Sequence, residues 1–299
     1  MKSLLRFLLQ AIALGILLLL IASVILWYRS NAKLSKTYEF AFTPGPVASG
    51  EAALAQGKHL AETRGCVDCH GKDFSGHTVM DNKPMGRVDG PNITHGKGGL
   101  PATFSDADWE RAIRHGVGPD KRGLYLMPST DYAQYSVEDM GALIAYLKSV
   151  PSVDHVTAPL ELGPIARALL VFGKIKLSAD EIDHEALKPL ETAPGVTADY
   201  GHYVALSCTG CHGANYSGGK IASGPPDWPP AANLTPDPSG NLSKWSEADF
   251  INTLRTAKRP DGTMLHPAMP RAFGQMTDSE LKALWLFMKT LPAAATGKR

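Results

Sequence analysis

The strongest constraint on this 299-residue chain is a pentapeptide that occurs twice, Cys66-Val67-Asp68-Cys69-His70 and Cys208-Thr209-Gly210-Cys211-His212. The two copies use all 4 cysteines of the chain. On a helical turn, side chains three apart share a face. Both thiols of a pair can therefore reach the two vinyl groups at one edge of a porphyrin. The histidine that follows swings beneath the ring toward iron. Such a run reads as an attachment site for c-type haem, and two copies call for two covalently bound haems. Other cysteine chemistry fits worse. One four-thiolate zinc site would have to unite pairs separated by 138 residues and would leave both histidines unexplained. A redox dithiol leaves them unexplained as well.

The motifs sit inside a longer internal repeat. His70 lies 57 residues before Met127, and His212 lies 57 before Met269. Each methionine precedes a proline, Pro128 or Pro270, which biases it toward an extended conformation and suits a thioether held on a loop and pointed at a metal. Asn92-Ile93-Thr94 answers Asn233-Leu234-Thr235, Arg114 answers Arg255, and the stretch 142–148 answers 283–289. A period near 142 residues that occurs only twice describes two homologous domains. Each closes with a helix. Ser136 to Asp139 and Thr277 to Glu280 resemble capping boxes, apolar residues follow at helical spacing, and Pro151 and Pro292 end the two helices.

These features resemble the class I cytochrome c family, and more closely the tandem dihaem cytochromes that accompany membrane-bound dehydrogenases. The resemblance covers about residues 47–156 and 194–293. It implies an all-α fold, with two tandem class I domains behind an amino-terminal transmembrane helix. It also implies the ligands. Cys66, Cys69, His70 and Met127 would hold haem one, and Cys208, Cys211, His212 and Met269 haem two, with His70, Met127, His212 and Met269 on iron. The family crosses its first and last helices at a glycine–aromatic contact, a role that Gly57 with Tyr146 and Gly201 with Phe287 would fill.

Ahead of the repeat, Phe7 to Tyr28 is apolar except for Gln10. At 1.5 Å per residue this run is about 33 Å long, enough for a bilayer's hydrocarbon core. Lys2 and Arg6 precede it and Arg29, Lys33 and Lys36 follow, so charge alone does not orient it. The resemblance does: c-type haem is attached on the periplasmic side of the bacterial inner membrane, which puts the amino terminus in the cytoplasm. A cleaved signal peptide is the competing reading. Against it, the apolar run is long, no Ala-x-Ala site closes it, and Trp27-Tyr28 forms an interfacial anchor. The expected organisation is an anchor at 1–36, a tether at 37–46, domain one at 47–156, an interdomain strap at 157–193 and domain two at 194–299.

Other residues compete for roles. His77, His95, His115 and His266 follow the motifs and could supply a sixth ligand, with His266 the nearest rival to Met269 and Met264 a weaker one. The equal spacing favours Met269. Met80 and Met85 read as loop or core residues. Arg114 and Arg255 could meet haem propionates or be exposed helix charges. Asn92 and Asn233 stand in Asn-x-Thr sequons, but their matching places suggest backbone turns. The apolar stretch 165–177 reads as a strap packed across the domain interface, with a membrane-surface helix as its rival. Domain one carries 11 basic and 14 acidic residues and domain two 10 and 8, so neither has the field that nucleic-acid binding requires.

The function implied is electron transfer rather than catalysis: a respiratory-chain relay from a periplasmic dehydrogenase to an oxidase or another cytochrome, either free or as a complex subunit. The enzymatic alternative, a dihaem peroxidase or other haem oxidoreductase, needs an open sixth position and nearby acid–base groups.

Overall fold

Two glycines in matching positions let four helices cross in two close pairs. The computed structural model describes residues 2–298 except 222, 223 and 225–227. After α1 (Lys2–Leu34), α2 (Glu51–Thr63) leads into the short α3 (Cys66–His70), and α4 (Asp106–His115), α5 (Ser129–Tyr132) and α6 (Val137–Ser149) complete the first half. Then α7 (Pro164–Val171) and α8 (Ser178–Glu181) precede the second set: α9 (Ala198–Ala205), α10 (Thr209–His212), α11 (Glu247–Thr256) and α12 (Asp278–Thr290). A Cβ at Gly57 would stand 2.0 Å from the Ala142 carbonyl oxygen and 2.7 Å from the Tyr146 Cβ. At Gly201 the corresponding clashes are 1.9 Å to the Ala283 oxygen and 2.8 Å to the Phe287 Cβ. Only glycine allows α2 to cross α6, and α9 to cross α12, at this distance. Both contacts expected from the family resemblance are present.

Each crossing heads a separate apolar core. Leu60, Phe74, Trp109, Leu143 and Leu147 belong to the first, and Tyr203, Phe250, Leu281, Leu284 and Met288 to the second. Reciprocal capping boxes start α4 (Ser105 with Asp108), α11 (Ser246 with Asp249) and α12 (Thr277 with Glu280). At α6, Ser136 caps the Asp139 N–H, but the Asp139 carboxylate turns elsewhere.

The all-α expectation needs correction. Strands β1 (His77–Asn82), β2 (Gly86–Gly90) and β3 (Glu161–Leu162) form an antiparallel sheet in the order β1-β2-β3. Asn82 pairs with Gly86 across a three-residue turn, where Gly86 takes a φ of 99°. A short loop with a glycine is a hairpin signal. Met85, 5% exposed, and the partly buried Met80 join Leu162, Ala166 and Leu170 in a small third core.

The strap is also different from the expectation. Helix α7 does not bridge the two main cores; it packs on the carboxyl-terminal end of α1 and on the hairpin. Farther along, Leu190 donates its N–H to the Gln134 carbonyl while its side chain packs on the second core. Helix α1 is exposed through most of its length, and its most apolar 18 residues, with a mean hydropathy of 2.8, make it long and apolar enough to cross a membrane.

Candidate functional site

The first attachment motif is a single helical turn, which places the Cys66 thiol and the His70 ring on the wall of a cavity; Cys69 is partly buried beside them and is not among the lining residues. Gly65, in a left-handed conformation, starts the turn, and Gly71 ends it. The His70 Nδ1 is 2.9 Å from the Pro91 carbonyl oxygen. Donation of Nδ1–H to that oxygen leaves the Nε2 lone pair available to a metal. The second motif repeats this, with the His212 Nδ1 2.7 Å from the Ala232 oxygen. The two rings are 9% and 7% exposed, and burial lowers the His70 pKa, which keeps the imidazole neutral. Burial also pushes the Cys66 and Cys208 thiols up to about 12. A redox dithiol requires the reverse, a thiolate stabilised near neutral pH.

Cys66, His70 and Met127 line one cavity of about 240 Å³, walled by Ile93, Phe104, Trp109 and Leu143 among others. The donor set suits a ferrous or ferric porphyrin: an imidazole, a thioether and an attachment thiol in an apolar wall. Trp109 is 3% exposed, and its indole N–H has no partner. An acceptor carried by a bound group, such as a haem carboxylate, would satisfy it. In the second half, Met269 and Cys208 are both partly buried and each packs against the second core.

The methionine loops are built by their neighbours. The Ser178 hydroxyl of α8 donates to the Met127 carbonyl at 2.7 Å, so the strap pins the first loop. Arg114 bonds the Ala133 and Tyr135 carbonyls and pairs with Glu110 at 2.7 Å. Arg255 bonds the Gly274 carbonyl and Asp278. Both arginines therefore tie the loop after a methionine to the helix before it, and Arg255 also reaches the first residue of the helix that follows; Arg114 is not among the residues of the cavity wall. Arg114, 4% exposed, is not the exposed helix charge of one reading, whereas Arg255 is exposed as that reading has it, though paired with Asp278.

The rival ligands are turned away. His77, His95 and His266 are exposed, and the His266 Nδ1 accepts from the Ala268 N–H. His115 is buried against His184, their Nδ1 atoms 3.0 Å apart. Met264 is 57% exposed. Asn92 and Asn233, 2% and 5% exposed, clamp the chain after the last helix through the Val153 and Ala294 carbonyls. They are turn residues and not glycan acceptors.

A seam between the two halves was not visible in the sequence. Glu280 accepts from Arg64 at 2.5 Å and from His59 at 2.7 Å. Reciprocally, the Tyr203 hydroxyl donates to Asp139 at 2.6 Å. His59 and Tyr203 each follow a crossing glycine by two residues, and Asp139 and Glu280 are each the third residue of a last helix. The contacts thus obey a pseudo-twofold relation, as an isologous interface would. Beside them, Asp131 of α5 accepts from the Thr209 hydroxyl at 3.2 Å. The segment after Met127 thereby touches the second attachment motif directly.

The cytochrome c family model matches residues 54–151 and again 200–292. The chain belongs to the cytochrome c family. It is a c-type cytochrome for electron transfer, and its cofactor is covalently bound haem c, two per chain. It is 30% identical to a gluconate 2-dehydrogenase cytochrome c subunit of Pantoea cypripedii, over 82% of this chain and 61% of that protein. It is 26% identical to a fructose dehydrogenase cytochrome subunit of Gluconobacter japonicus, over 84% of this chain and 55% of that one. The chain therefore spans little more than half of these relatives. A diheme cytochrome c-type protein of Cereibacter sphaeroides, 26% identical, is matched over 99% of its length and 95% of this cytochrome.

Proposed function

We propose that this cytochrome is a membrane-anchored relay, taking electrons from a dehydrogenase and delivering them to another cytochrome or an oxidase on the periplasmic face of a bacterial inner membrane. The observation that carries this reading is that His70 and Met127 line one apolar cavity. In each unit, taken as residues 47–156 and 194–299, two thioethers and a histidine hold the haem, with Cys66, Cys69 and His70 in the first and Cys208, Cys211 and His212 in the second. Met127 and Met269 would each bring a thioether to the iron. When bound, the haem iron supplies one-electron ferrous–ferric exchange. The protein sets its terms. Pro91 and Ala232 orient the imidazoles, the methionine sulfurs would favour the ferrous state over what two histidines would give, and the apolar wall of the first cavity keeps water out.

The seam supports the relay. The Met127 loop and the second motif meet through Asp131 and Thr209, which favours transfer between the two centres within one chain. The names of the relatives support a dehydrogenase as donor, with this chain as its cytochrome subunit. The peroxidase reading loses support from the cavity wall, whose titratable side chains are Cys66, His70 and Tyr132. None of these is a free carboxylate or a second histidine able to move protons for peroxide cleavage. The exposed apolar α1 supports a single-pass anchor, and attachment of c-type haem on the periplasmic side would put its amino terminus in the cytoplasm. Solubilising native membranes in mild detergent and identifying what co-purifies tests the assignment. A dehydrogenase catalytic subunit in the same complex, whose substrate reduces both haems, is the expected result. A chain that stays oxidised while turning over peroxide would refute it.

A further inference from the structure

The short helix α7 has two apolar faces, and the protein covers only one. Ala166 and Leu170, 0% and 1% exposed, face the hairpin core. On the other side Ile165 is 45% exposed and Phe172, just past the helix, is 74% exposed. Ile165, Ala168 and Phe172 follow at helical spacing, so they form one stripe. A surface helix that is apolar on both sides needs a second neighbour.

The position of α7 says what that neighbour is. Arg167 donates to the Ser30 hydroxyl at 2.6 Å and to Asn31 at 2.8 Å, and Lys33 donates to the Leu170 carbonyl at 2.9 Å. These bonds fasten α7 beside residues 30–33 of α1, two to five positions past Tyr28, where the apolar run ends. At 1.5 Å per residue this is about 3–8 Å along the axis, and the headgroup layer on each side of a bilayer is roughly 5–7 Å thick. Arg29 and Lys174 are exposed close by, as suits contact with lipid phosphates.

We infer that α7 and Phe172 form a second membrane contact, with Ile165 and Phe172 seated at the headgroup–acyl boundary of the leaflet where α1 emerges. The inference rests on the reading of α1 as a membrane anchor. Its consequence is orientation. A single spanning helix leaves a haem body free to swivel about its tether; a second contact fixed to α1 does not. Because the strap continues from α7 to Ser178, which holds the Met127 carbonyl, the membrane contact and the first methionine loop belong to one rigid connection. The first haem would then face its partners at a set height and angle.

Site-specific photo-crosslinking tests this on the full, haem-loaded chain in vesicles of phosphatidylethanolamine and phosphatidylglycerol. Benzoylphenylalanine is placed in turn at Phe172, at Leu19 in α1, and at the exposed Met264 of the second unit, and adducts are read by mass spectrometry. Lipid adducts at 172 and 19 and none at 264 are expected. Adducts at 19 but not at 172 would overturn the inference and leave the anchor standing. No lipid adduct at 19 would overturn the anchor itself, and the inference with it. Equal labelling at 172 and 264 would also overturn the inference, since it would mark adventitious contact. As a second measurement, Phe172→Asp with Ile165→Asp should lose protection of the bond after Lys174 from trypsin in vesicles. Protection unchanged by the double substitution would count against a lipid contact.

Discussion

Replacing Glu280 by glutamine isolates the charge that joins the two cytochrome units. Glutamine still suits the third position of a capping box, so α12 keeps its start. What is lost is the anion between Arg64 and His59, at 2.5 and 2.7 Å. Glu280 is 3% exposed and Arg64 4%, so solvent screens neither. Burial works against the carboxylate, but the bond from His59 and the charge of Arg64 outweigh it and hold the pKa at about 2, against 4.5 for a free group. That gap corresponds to about 3 kcal/mol of stability, in line with the roughly 3–5 kcal/mol for removing one partner of a buried pair. The sign follows from the depressed pKa. The contribution is complete above the unfolded value of 4.5 and is lost as pH falls through about 2. Urea unfolding of the haem-loaded chain should therefore show Glu280→Gln less stable by about 3 kcal/mol at neutral pH, with the gap closing in acid. Arg64→Met on top of Glu280→Gln should restore much of the loss, because no uncompensated charge then remains in the seam. A loss below about 0.5 kcal/mol, the range of ordinary surface substitutions, or a loss independent of pH, would refute the reasoning.

Other outcomes follow from single positions. Gly201→Ala should destabilise the second unit by about 1–3 kcal/mol, the usual cost of overpacking, because its Cβ would meet the Ala283 oxygen at 1.9 Å; a thermal melt checks this. Burial raises the Asp131 carboxyl to about 7 from 3.8, so its effect runs opposite to that of Glu280: stability is greatest below 3.8 and falls as pH rises through 7. Asp131→Asn, which keeps an acceptor for Thr209, should remove a penalty of up to about 4 kcal/mol at alkaline pH, seen as a urea midpoint that no longer falls between pH 5 and 8. Met127→His should leave its haem low-spin and lower its potential in a redox titration, as imidazole replaces a thioether.

Much of the site can be read from the sequence because covalent attachment and helix crossing impose fixed local spacings. Cys66 to His70 is one turn, and Gly57 and Gly201 must be small wherever two helices touch there. Caps such as Thr277 with Glu280 are equally local. The hairpin was legible in its turn but hidden by a family expectation of helices, and its third strand, Glu161–Leu162, lies far along the chain. The seam could not be seen at all. Glu280 announces itself as a cap, but its pairing with Arg64 spans 216 positions, and no periodicity marks such a contact. Arg114 and Arg255 were recognised as equivalent because the repeat aligns them, while their partners, backbone carbonyls of the methionine loops, carry no sequence signature. The strap was misplaced for a related reason: the two apolar faces of α7 show that it needs partners, but only the bonds from Arg167 and Lys33 show that one of them is α1.

The central claim is that both haems are closed His/Met centres built for passing electrons. Its most direct test is the spin state of the ferric protein, purified as the full chain in mild detergent and read by electron paramagnetic resonance and far-red absorption before and after peroxide is added. Two low-spin haems per chain, with the sulfur-to-iron band of methionine ligation and no peroxide turnover, are the expected result. A high-spin ferric haem that turns over peroxide rapidly would contradict the relay and restore the enzymatic reading.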